Sequence, residues 1–427
     1  MKRVVILGAG TGGTIMANRI WSQHKKEVAA GEMSIKVVDQ DDRHIYQPGL
    51  LFIPFDIYKP KDTIKRRRPF LPKGAEFVVG EIDRVEPDED RVYLTNGESL
   101  DYDMLVIATG ARLAPEETEG LTGPGWGEKM FEFYTQEGAE AMAPVFREWK
   151  GGHLVVNITD MPIKCPIAPL EFVFLSDWYF RKRGIRENVK ISLVTPLDAA
   201  FTRPLAAHAF GNLMKEKGIE IVTEFSTGEV DGEAGRITSW DERTVDFDLL
   251  VSIPLHMGAE FVERSPGLGD DMGWVLTDPN TLQANVKENI FVLGDATNVA
   301  TSKAGSVAHF EGEVLAENVE RFLAGLPLNP KFDGHANCFI ETGFNKAVLI
   351  DFNYDIEPLP GRFPFAAVGP LSLLKETRMN HIGKMAFKWV YWNMLLPGKD
   401  LPGVTTQMTL RGKREWVKGI DTQTAES

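Results

Sequence analysis

The stretch Val4-Val5-Ile6-Leu7-Gly8-Ala9-Gly10-Thr11-Gly12-Gly13 decides the fold of this chain. Its four leading apolar residues predict a buried parallel strand, its glycines a tight turn, and the apolar spacing through Trp21 a helix. A second strand is predicted at 34–38 and ends in Asp39. The order of strand, glycine-rich turn, helix and second strand with a terminal acid indicates a dinucleotide-binding unit.

Each glycine of the turn has its own physical role in such a unit. Gly8 makes the tight turn, Gly10 lets the backbone approach a pyrophosphate, and Gly13 lets the helix pack on the strand. The helix N-terminus presents free N–H groups and a positive dipole end to the phosphates. Asp39 can accept hydrogen bonds from a ribose hydroxyl, and an acid there disfavours a 2′-phosphate. The predicted dinucleotide contacts are therefore Gly8, Ala9, Gly10, Thr11, Gly13 and Asp39.

Length, composition and charge narrow the class of protein. A chain of 427 residues with 43% hydrophobic residues predicts two domains with sizeable cores, and a net charge of −14 argues against nucleic acid as a partner. Met1-Lys2-Arg3 leads straight into the first strand, so no signal peptide is predicted, and no apolar run is long enough to span a membrane. The basic run 59–68 is predicted to be a solvated loop face. Residues 370–418 carry nine Lys or Arg against three Asp or Glu, a local basic excess.

Two later strands identify the dinucleotide. The strand before Thr109-Gly110 and the strand at 289–293 before Gly294-Asp295 resemble the second and third flavin fingerprints of the two-dinucleotide-domain flavoprotein superfamily. The resemblance implies FAD, with Asp295 bonded to the ribityl chain. A helix from the N-cap Ser302 to about Leu323 would aim its N-terminus at the flavin, where its dipole and Lys303 favour the negatively charged reduced form. The full set of candidate FAD contacts adds Gln47, Ile82, Thr109, Gly110, Gly294, Asp295 and Lys303 to the six residues above.

The middle of the chain reads as a second dinucleotide-type domain that lacks a nicotinamide site. Strands are predicted at 149–158, 189–195, 219–222 and 247–254. The first of these runs into Thr159-Asp160-Met161-Pro162-Ile163-Lys164-Cys165-Pro166, where a second glycine-rich phosphate loop would be expected. Because this stretch has no glycine, we expect no NAD(P)H to bind there.

Cys165 and Cys338 are the only two cysteines in the sequence. They are too far apart to resemble the short paired spacings of metal ligands, so no metal site is predicted. They are either unrelated buried thiols or a redox pair, and a reducing compartment would make a purely structural disulfide unusual. A helix predicted from 169 to about 182 and the adjacent Lys164 predict a stabilised thiolate at Cys165.

The chain as a whole resembles the sulfide:quinone oxidoreductase family to about residue 400. The segments that carry the resemblance are Tyr46-Gln47-Pro48-Gly49, the motif from Pro162 to Phe172 around Cys165, Gly258-Ala259-Glu260-Phe261-Val262, and the stretch from Asn337-Cys338 to Tyr354. The resemblance implies that Cys165 and Cys338 form a redox-active disulfide, or a polysulfide-bridged pair, beside the flavin. Hydrosulfide would open this bridge, and two electrons would pass through FAD to a quinone. Tyr134 stands where many members have a third cysteine, so we expect the two-cysteine branch with FAD held non-covalently.

The C-terminal region is predicted to hold the quinone and to meet the cell membrane as a peripheral, monotopic segment. Phe339, Phe344 and Phe365 are the candidate quinone-binding residues. A helix at 381–396 places Ile382, Met385, Ala386, Trp389 and Leu396 on one face, with Lys384 and Lys388 flanking that face. This pattern and the local basic excess favour a helix lying in the headgroup layer. The alternative is an ordinary core or dimer-interface helix, and a homo-oligomer stays open.

The predicted fold class is α/β, with two Rossmann-like dinucleotide-binding-type domains and a C-terminal amphipathic membrane-binding segment. The FAD domain would comprise 1–112 and 271–330, the second domain 113–270, and the C-terminal region 331–427. Three other functions remain open. They are the flavin subunit of a flavocytochrome-type sulfide dehydrogenase, an NADH:quinone oxidoreductase, and a non-catalytic flavoprotein redox sensor.

Overall fold

The computed structural model describes residues 1–365 and 368–413. Its helices are α1 (Thr11–Gln23), α2 (Lys25–Ala29), α3 (Gln136–Glu148), α4 (Ala168–Lys182), α5 (Pro204–Glu216), α6 (Gly305–Leu323) and α7 (Arg378–Val390). Its first twelve strands are β1 (Lys2–Leu7), β2 (Met33–Asp39), β3 (Arg43–Ile45), β4 (Ile64–Arg66), β5 (Ala75–Val79), β6 (Ile82–Glu86), β7 (Arg91–Leu94), β8 (Ser99–Asp101), β9 (Met104–Ile107), β10 (Arg112–Ala114), β11 (Met130–Phe131) and β12 (Gly152–Ile158). The remaining strands are β13 (Val189–Val194), β14 (Glu220–Val222), β15 (Thr227–Asp231), β16 (Arg236–Ser239), β17 (Thr244–Asp246), β18 (Leu249–Ile253), β19 (Leu255–Met257), β20 (Ile290–Val292), β21 (Ala336–Gly343), β22 (Lys346–Phe352), β23 (Gly361–Phe363) and β24 (Leu371–Leu373). The predicted α/β class is confirmed.

The first sheet is parallel and is built around β1. Its strand order is β20-β9-β1-β2-β5, so the predicted first strand lies at the centre with the later flavin-motif strands on one side. Residues 4–7 of β1 and 104–107 of β9 are all buried, as expected for parallel strands covered on both faces. Antiparallel strands β6-β7-β8 and the pair β3-β4 form separate small sheets.

The second sheet is also parallel and has the order β11-β18-β12-β13-β14. The helix α4 connects β12 to β13, and α5 connects β13 to β14, as crossovers between parallel strands require. The four strands that the sequence predicted in this region are confirmed, with ends shifted by one to three residues. Where the chain passes between the two sheets, β10 pairs with β19 in antiparallel fashion.

The C-terminal sheet has the order β21-β22-β24-β23, and its first two strands form a hairpin. Phe344 and Asn345 at the turn have φ of +54° and +57°, which is the conformation of a tight hairpin connection. The helix α7 packs against β21 and β22. Parts of the predicted C-terminal region, residues 366–367 and 414–427, lie outside the described residues.

Two predicted helices have different limits from those expected. Helix α6 begins at Gly305, with Ala304 rather than Ser302 as its N-cap. Helix α7 ends at Val390 and continues as a π-helical turn over Tyr391–Leu395, so the predicted helix at 381–396 is not continuous. Among the described residues, none of the helices combines the length and the apolar character that crossing a membrane requires.

Candidate active site

The carboxyl ends of four parallel strands meet at one edge of the first sheet. Here β1 leads into Gly8, β2 ends at Asp39, β9 leads into Thr109, and β20 leads into Gly294. Gly8 N donates to Val38 O at 2.8 Å, which ties the glycine turn to the neighbouring strand. Open parallel sheets bind their ligands at this edge. The structure therefore brings together most of the residues that the sequence predicted to contact a cofactor.

The glycines of the first turn differ in what a side chain would meet. A Cβ atom at Gly8 would collide with the carbonyl of Ala108, and Gly8 also has a φ of +91°. A Cβ atom at Gly13 would collide with the carbonyl of Gly8. A Cβ atom at Gly10 would meet no described atom within 4 Å. Gly8 and Gly13 are thus required by the fold, whereas Gly10 leaves open space at the N-terminus of α1, where a phosphate group can approach.

Asp39 orders the same turn through its carboxylate. Its Oδ2 atom accepts a hydrogen bond from Ala9 N at 2.6 Å and pairs with the guanidinium of Arg67. The Arg67 side chain is buried, and burial lowers its pKa to about 10. The prediction that the whole basic run 59–68 is a solvated face is therefore wrong at Arg67, because Asp39 provides a partner inside the protein. The contact of Asp39 with a ribose stays a prediction.

Lys303 is held inside the loop that follows the Gly-Asp turn. Its Nζ atom donates to Asp295 O at 3.1 Å and to Thr297 O at 2.6 Å, and it lies 4.2 Å from the centroid of the Trp274 ring. Burial lowers the pKa of Lys303 and raises the pKa of Asp295, while the opposite charge of each residue works against these shifts. The charge of Lys303 thus lies close to Asp295, at the cofactor edge.

Several buried polar atoms at this edge fit a polar cofactor. Glu311 accepts a hydrogen bond from Gly294 N at 2.5 Å, and burial raises its pKa to about 8. Glu311 Oε1, Thr109 Oγ1 and Trp274 Nε1 are buried without a hydrogen-bond partner in the described part of the chain. Leaving such an atom unpaired costs about 1–3 kcal/mol. Gly110, with a φ of +72°, leaves open space beside them. The hydroxyl and phosphate groups of FAD would supply the missing partners, so these residues fit FAD.

Two predicted cofactor residues are not at the ends of the four strands named above. Ile82 follows β5, the edge strand of the same sheet, by three residues. Gln47 is exposed and begins a 3-10 helix over Gln47–Phe52. Ile82 is half-buried, begins β6 and pairs with Leu94. Their contact with FAD stays a prediction.

Cys165 lies in the loop between β12 and α4, against the segment that precedes α6. Its N–H donates to Lys303 O at 2.6 Å, and its carbonyl accepts from Ala168 N at 2.8 Å and from the Tyr134 hydroxyl at 3.3 Å. Its φ is +45°, in the left-handed region, which costs a residue with a side chain about 1–2 kcal/mol. These hydrogen bonds fix the backbone of Cys165 beside Lys303.

Cys338 approaches the same segment from the C-terminal sheet. It lies on β21 opposite Ile350 and is 7% exposed. The Ser306 hydroxyl donates to the carbonyl of Asn337, the residue before Cys338, at 2.7 Å. The hydroxyls of Ser302 and Ser306 also favour the ionised form of Cys338 and so oppose the rise of its pKa. The chain at each of the two cysteines, which are far apart in the sequence, is therefore bonded to segment 302–306. Both sulfurs are thiols in this structure.

The two thiols are harder to ionise than the sequence predicted. Burial raises the pKa of Cys338 to about 11, and burial together with the negative charge of Glu171 raises the pKa of Cys165. Lys164 is buried with a lowered pKa, although the charges of Lys164 and Cys165 favour each other. Helix α4 begins three residues after Cys165, close to the predicted start. The stabilisation of the Cys165 thiolate by Lys164 and the helix start stays a prediction. The cation that favours both thiolates is Lys384.

Lys384 belongs to a buried ionic network that the sequence did not predict. Its Nζ atom lies 2.7 Å from Glu171 Oε1 and donates to Phe339 O at 3.0 Å. Glu341 N donates to Glu171 Oε1 at 2.7 Å, and Glu341 Oε2 lies 2.9 Å from His381 Nδ1. Burial raises the pKa of both carboxylic acids, that of Glu341 to about 7. The available signal was Glu171 among the apolar residues at the start of α4, because a buried acid requires a partner.

A second group of polar side chains lies around Cys165. It includes Tyr134, which takes the position of the third cysteine. The His256 ring meets the Tyr134 ring edge-on, with centroids 5.0 Å apart, and its Nδ1 lies 2.9 Å from Pro254 O. Burial lowers the pKa of His256 to about 3, so the imidazole is neutral. Its Nε2 atom is buried and unpartnered within the described residues. Lys164 lies 6.0 Å from the centroid of the Tyr134 ring.

The three predicted quinone-binding phenylalanines do not form one cluster. Phe339 is half-buried, and its ring lies against Gly383 of α7. Phe344 is 43% exposed at the hairpin turn, with Lys217 Nζ 5.0 Å from its ring centroid. Five residues of extended strand separate Phe339 from Phe344 by about 17 Å. Phe365 is 55% exposed. The predicted aromatic cluster is thus spread along the C-terminal sheet, because β21 is extended.

The exposed face of α7 is smaller than the sequence predicted. Ile382 and Trp389 are 57% and 63% exposed, as expected for an unpaired apolar face. Leu396 is fully buried in a cluster with Tyr46, because the chain has left the helix at the π-helical turn. Lys384, predicted to flank the exposed face, points instead to Glu171.

Comparisons with known proteins agree with this geometry. A family model described as pyridine nucleotide-disulphide oxidoreductase matches residues 2–156. The mitochondrial sulfide:quinone oxidoreductase of Dictyostelium discoideum is 28% identical over 404 residues, covering 93% of this chain and 87% of the relative. The corresponding protein of Mus musculus is 27% identical and covers 92% of this chain and 86% of its own length.

One solved structure shares the fold over nearly the whole chain. The sulfide:quinone oxidoreductase of the hyperthermophilic bacterium Aquifex aeolicus superimposes with a TM-score of 0.74 at 20% identity, covering 92% of each chain. At this level of identity the match describes the fold.

Proposed function

We propose that this chain, which is homologous to the sulfide:quinone oxidoreductases over most of its length, oxidises sulfide to sulfane sulfur and passes two electrons through FAD to a membrane quinone. The observation that carries the proposal is that the chain at both cysteines is bonded to segment 302–306. Cys165 N donates to Lys303 O, and the Ser306 hydroxyl donates to the carbonyl of Asn337, the residue before Cys338. Lys303 is in turn bonded to the Gly-Asp turn of the cofactor edge.

The proposed sulfur chemistry is thiol–disulfide exchange. Hydrosulfide attacks one sulfur of a Cys165–Cys338 disulfide, the S–S bond breaks, and one cysteine becomes a persulfide while the other leaves as a thiolate. A second hydrosulfide then takes the outer sulfur as a polysulfide and leaves two cysteine thiolates. Closing the disulfide again releases two electrons. FAD, when bound, supplies the two-electron acceptor for this step and the two-electron donor for the quinone.

The chain stabilises the charge that this exchange creates. A thiolate at Cys338 lies beside the hydroxyls of Ser302 and Ser306 and is favoured by the ammonium group of Lys384. Hydrogen bonds to a charged sulfur are about twice as strong as those between neutral groups. Burial opposes ionisation of both cysteines, so we propose that Lys384 is the main charge that makes the leaving thiolate accessible.

The same proposal assigns the C-terminal region to the quinone and the membrane. Phe339 follows Cys338 directly and lies under α7, so it is the best-supported of the three predicted quinone contacts. Trp389, Ile382 and Met379 on α7 are 63%, 57% and 45% exposed. An amphipathic helix of this kind can rest in the interfacial layer of the cell membrane as a peripheral anchor. A quinone dissolved in the bilayer would then reach Phe339 from the side of α7.

Anaerobic spectroscopy on the purified FAD-loaded protein tests this function. Sulfide should bleach the flavin absorbance, whereas NADH should not, because the Cys165 loop lacks the glycines of a nicotinamide phosphate site. Cys165→Ser and Cys338→Ser should each lose the response to sulfide. Bleaching by NADH alone would favour a nicotinamide-dependent quinone reductase, and undiminished bleaching by sulfide in both variants would overturn the proposal.

A further inference from the structure

The C-terminal segment that follows α7 touches the phosphate-binding turn of the first domain. The Tyr391 hydroxyl lies 2.7 Å from Thr11 Oγ1 and 2.7 Å from His44 Nε2. Thr11 is the first residue of α1, directly after Gly10. One tyrosine hydroxyl from the end of the chain thus joins the start of the phosphate-binding helix to a side chain of β3.

The three side chains of this contact are neutral, and two of them are buried. Tyr391 and His44 are each 1% exposed, and Thr11 is half-buried. Burial lowers the pKa of His44 to about 4, so its ring is neutral at pH 7. Burial also raises the pKa of Tyr391, an effect that the charge of Arg67 opposes, so its hydroxyl keeps its proton. Losing the Tyr391 hydroxyl would leave its two partners without this hydrogen bond.

The chain beyond Tyr391 follows α1 for a further nine residues. Asn18 Nδ2 donates to Leu396 O at 3.0 Å, and Arg19 pairs with Asp400 at 3.0 Å. Gly398, with a φ of +69°, approaches α1 so closely that a Cβ atom there would lie 3.0 Å from Arg19 Cγ. The segment 391–400 therefore packs along the helix whose N-terminus begins at Gly10.

We infer that Tyr391 is a positioning residue for the dinucleotide: it fixes the Thr11 hydroxyl and the first turn of α1, so that retention of FAD depends on the C-terminal segment. The physical reason is preorganisation. The free N–H groups at a helix N-terminus hold a phosphate best when the turn that carries them is already ordered. The inference goes beyond the proposed function and requires only that FAD binds at this turn, whatever the electron donor and acceptor are.

Equilibrium binding of FAD to the full-length apoprotein tests the inference without sulfide or quinone. In Tyr391→Phe, which keeps the ring and removes the hydroxyl, the Kd for FAD should rise about three- to tenfold, the range expected for one buried hydrogen bond. Tyr179→Phe is the matched control, because its hydroxyl lies 3.4 Å from Asp56 and remote from α1. The control should bind FAD with the Kd of the wild type.

A double-mutant cycle separates positioning from general packing. Thr11→Val should by itself weaken FAD binding, whereas Thr11→Ser, which keeps the hydroxyl, should restore it to the wild-type level. Adding Tyr391→Phe to Thr11→Val should weaken binding little further, because both substitutions remove the same contact. Tyr391→Phe should itself lower the thermal midpoint of the apoprotein, because His44 and Thr11 lose their partner, so FAD binding is compared well below the midpoint of each variant. A Kd for Tyr391→Phe within twofold of the wild type, or fully additive losses in the double variant, would overturn the inference. Thr11→Val and Thr11→Ser keep the test decisive if Tyr391→Phe folds poorly.

Discussion

At the residue scale, the glycines of the first turn have two different roles. Gly8 and Gly13 are required by the fold, whereas Gly10 leaves space for the cofactor. Gly8 and Gly13 are packed against backbone carbonyls, so a methyl group at either position disturbs the fold itself. A methyl group at Gly10 meets no described atom within 4 Å, and the backbone there is extended, with a φ of −71° and a ψ of −156°.

We therefore expect Gly10→Ala to fold as well as the wild type and to bind FAD at least about tenfold more weakly, because the methyl group occupies the space of the pyrophosphate. Equilibrium dialysis against FAD and the thermal midpoint of the apoprotein measure the two effects separately. Gly211→Ala is the matched control, since its Cβ would also be in open space but lies on α5. It should leave FAD affinity unchanged. Normal FAD affinity in Gly10→Ala would contradict the assignment of this turn.

Lys384 is the residue on which the reactivity of the cysteines depends most. Burial raises the pKa of Cys338 to about 11, and Lys384 opposes this rise. Below that pKa the thiolate fraction increases about tenfold with each pH unit, so alkylation of the reduced protein by iodoacetamide should become faster as the pH rises.

We expect Lys384→Met to move this alkylation profile to higher pH, with Cys338 reacting about tenfold more slowly at pH 8, because the thiolate loses its cation and stays buried. Peptide mapping by mass spectrometry gives the rate at each cysteine. Lys388→Met is the matched control, since Lys388 lies on the same helix over the Tyr58 ring. The Glu171→Gln/Lys384→Met variant, which removes both charges, should fall between the wild type and Lys384→Met. An unchanged profile in Lys384→Met would refute this role.

At the element scale, α7 shows which contacts the periodicity of apolar residues can predict and which it cannot. The spacing of Ile382 and Trp389 correctly predicted an exposed apolar face. The same spacing placed Lys384 beside that face, but Lys384 turns inward because Glu171, more than 200 residues earlier in the chain, needs a buried partner. A pattern of apolar residues contains no information about such a distant partner.

We expect the Ile382→Glu/Trp389→Glu variant to bind vesicles that contain anionic lipid at least about tenfold more weakly than the wild type, because it places two carboxylates on the face that would enter the headgroup layer. Co-sedimentation with vesicles measures the affinity. Trp240→Glu is the control, since Trp240 is 80% exposed in the turn between β16 and β17 and should not contribute. Equal losses in both variants would show that α7 is not the binding surface.

At the scale of the whole molecule, the two parallel sheets were predictable because their strands are short apolar runs that end in glycine-rich turns. The clustering of the predicted FAD contacts followed from the same pattern, since the carboxyl ends of parallel strands share one edge. The link between Cys165 and Cys338 could be inferred only from the resemblance to a family. In the structure, segment 302–306 is bonded to Cys165 through Lys303 O and to Asn337, the residue before Cys338, through the Ser306 hydroxyl.

The contact between Tyr391 and Thr11 could not be predicted from the sequence either. Tyr391 belongs to an aromatic run that reads as part of a helix, and its role arises because the chain turns at a π-helical segment and runs back along α1. The burial of Cys165 was also not predictable from the residues next to it in the sequence. That burial and the charge of Glu171 raise its pKa, whereas the sequence showed only the adjacent charge of Lys164.

The most direct test of the central claim is the steady-state reduction of a short-chain quinone by sulfide, measured with purified FAD-loaded protein in detergent under anaerobic conditions. This mechanism predicts two electrons transferred for every two hydrosulfides consumed, no reaction when NADH replaces sulfide, and loss of activity in both Cys165→Ser and Cys338→Ser. Sulfide-dependent quinone reduction that persists in both serine variants at the wild-type rate would contradict it.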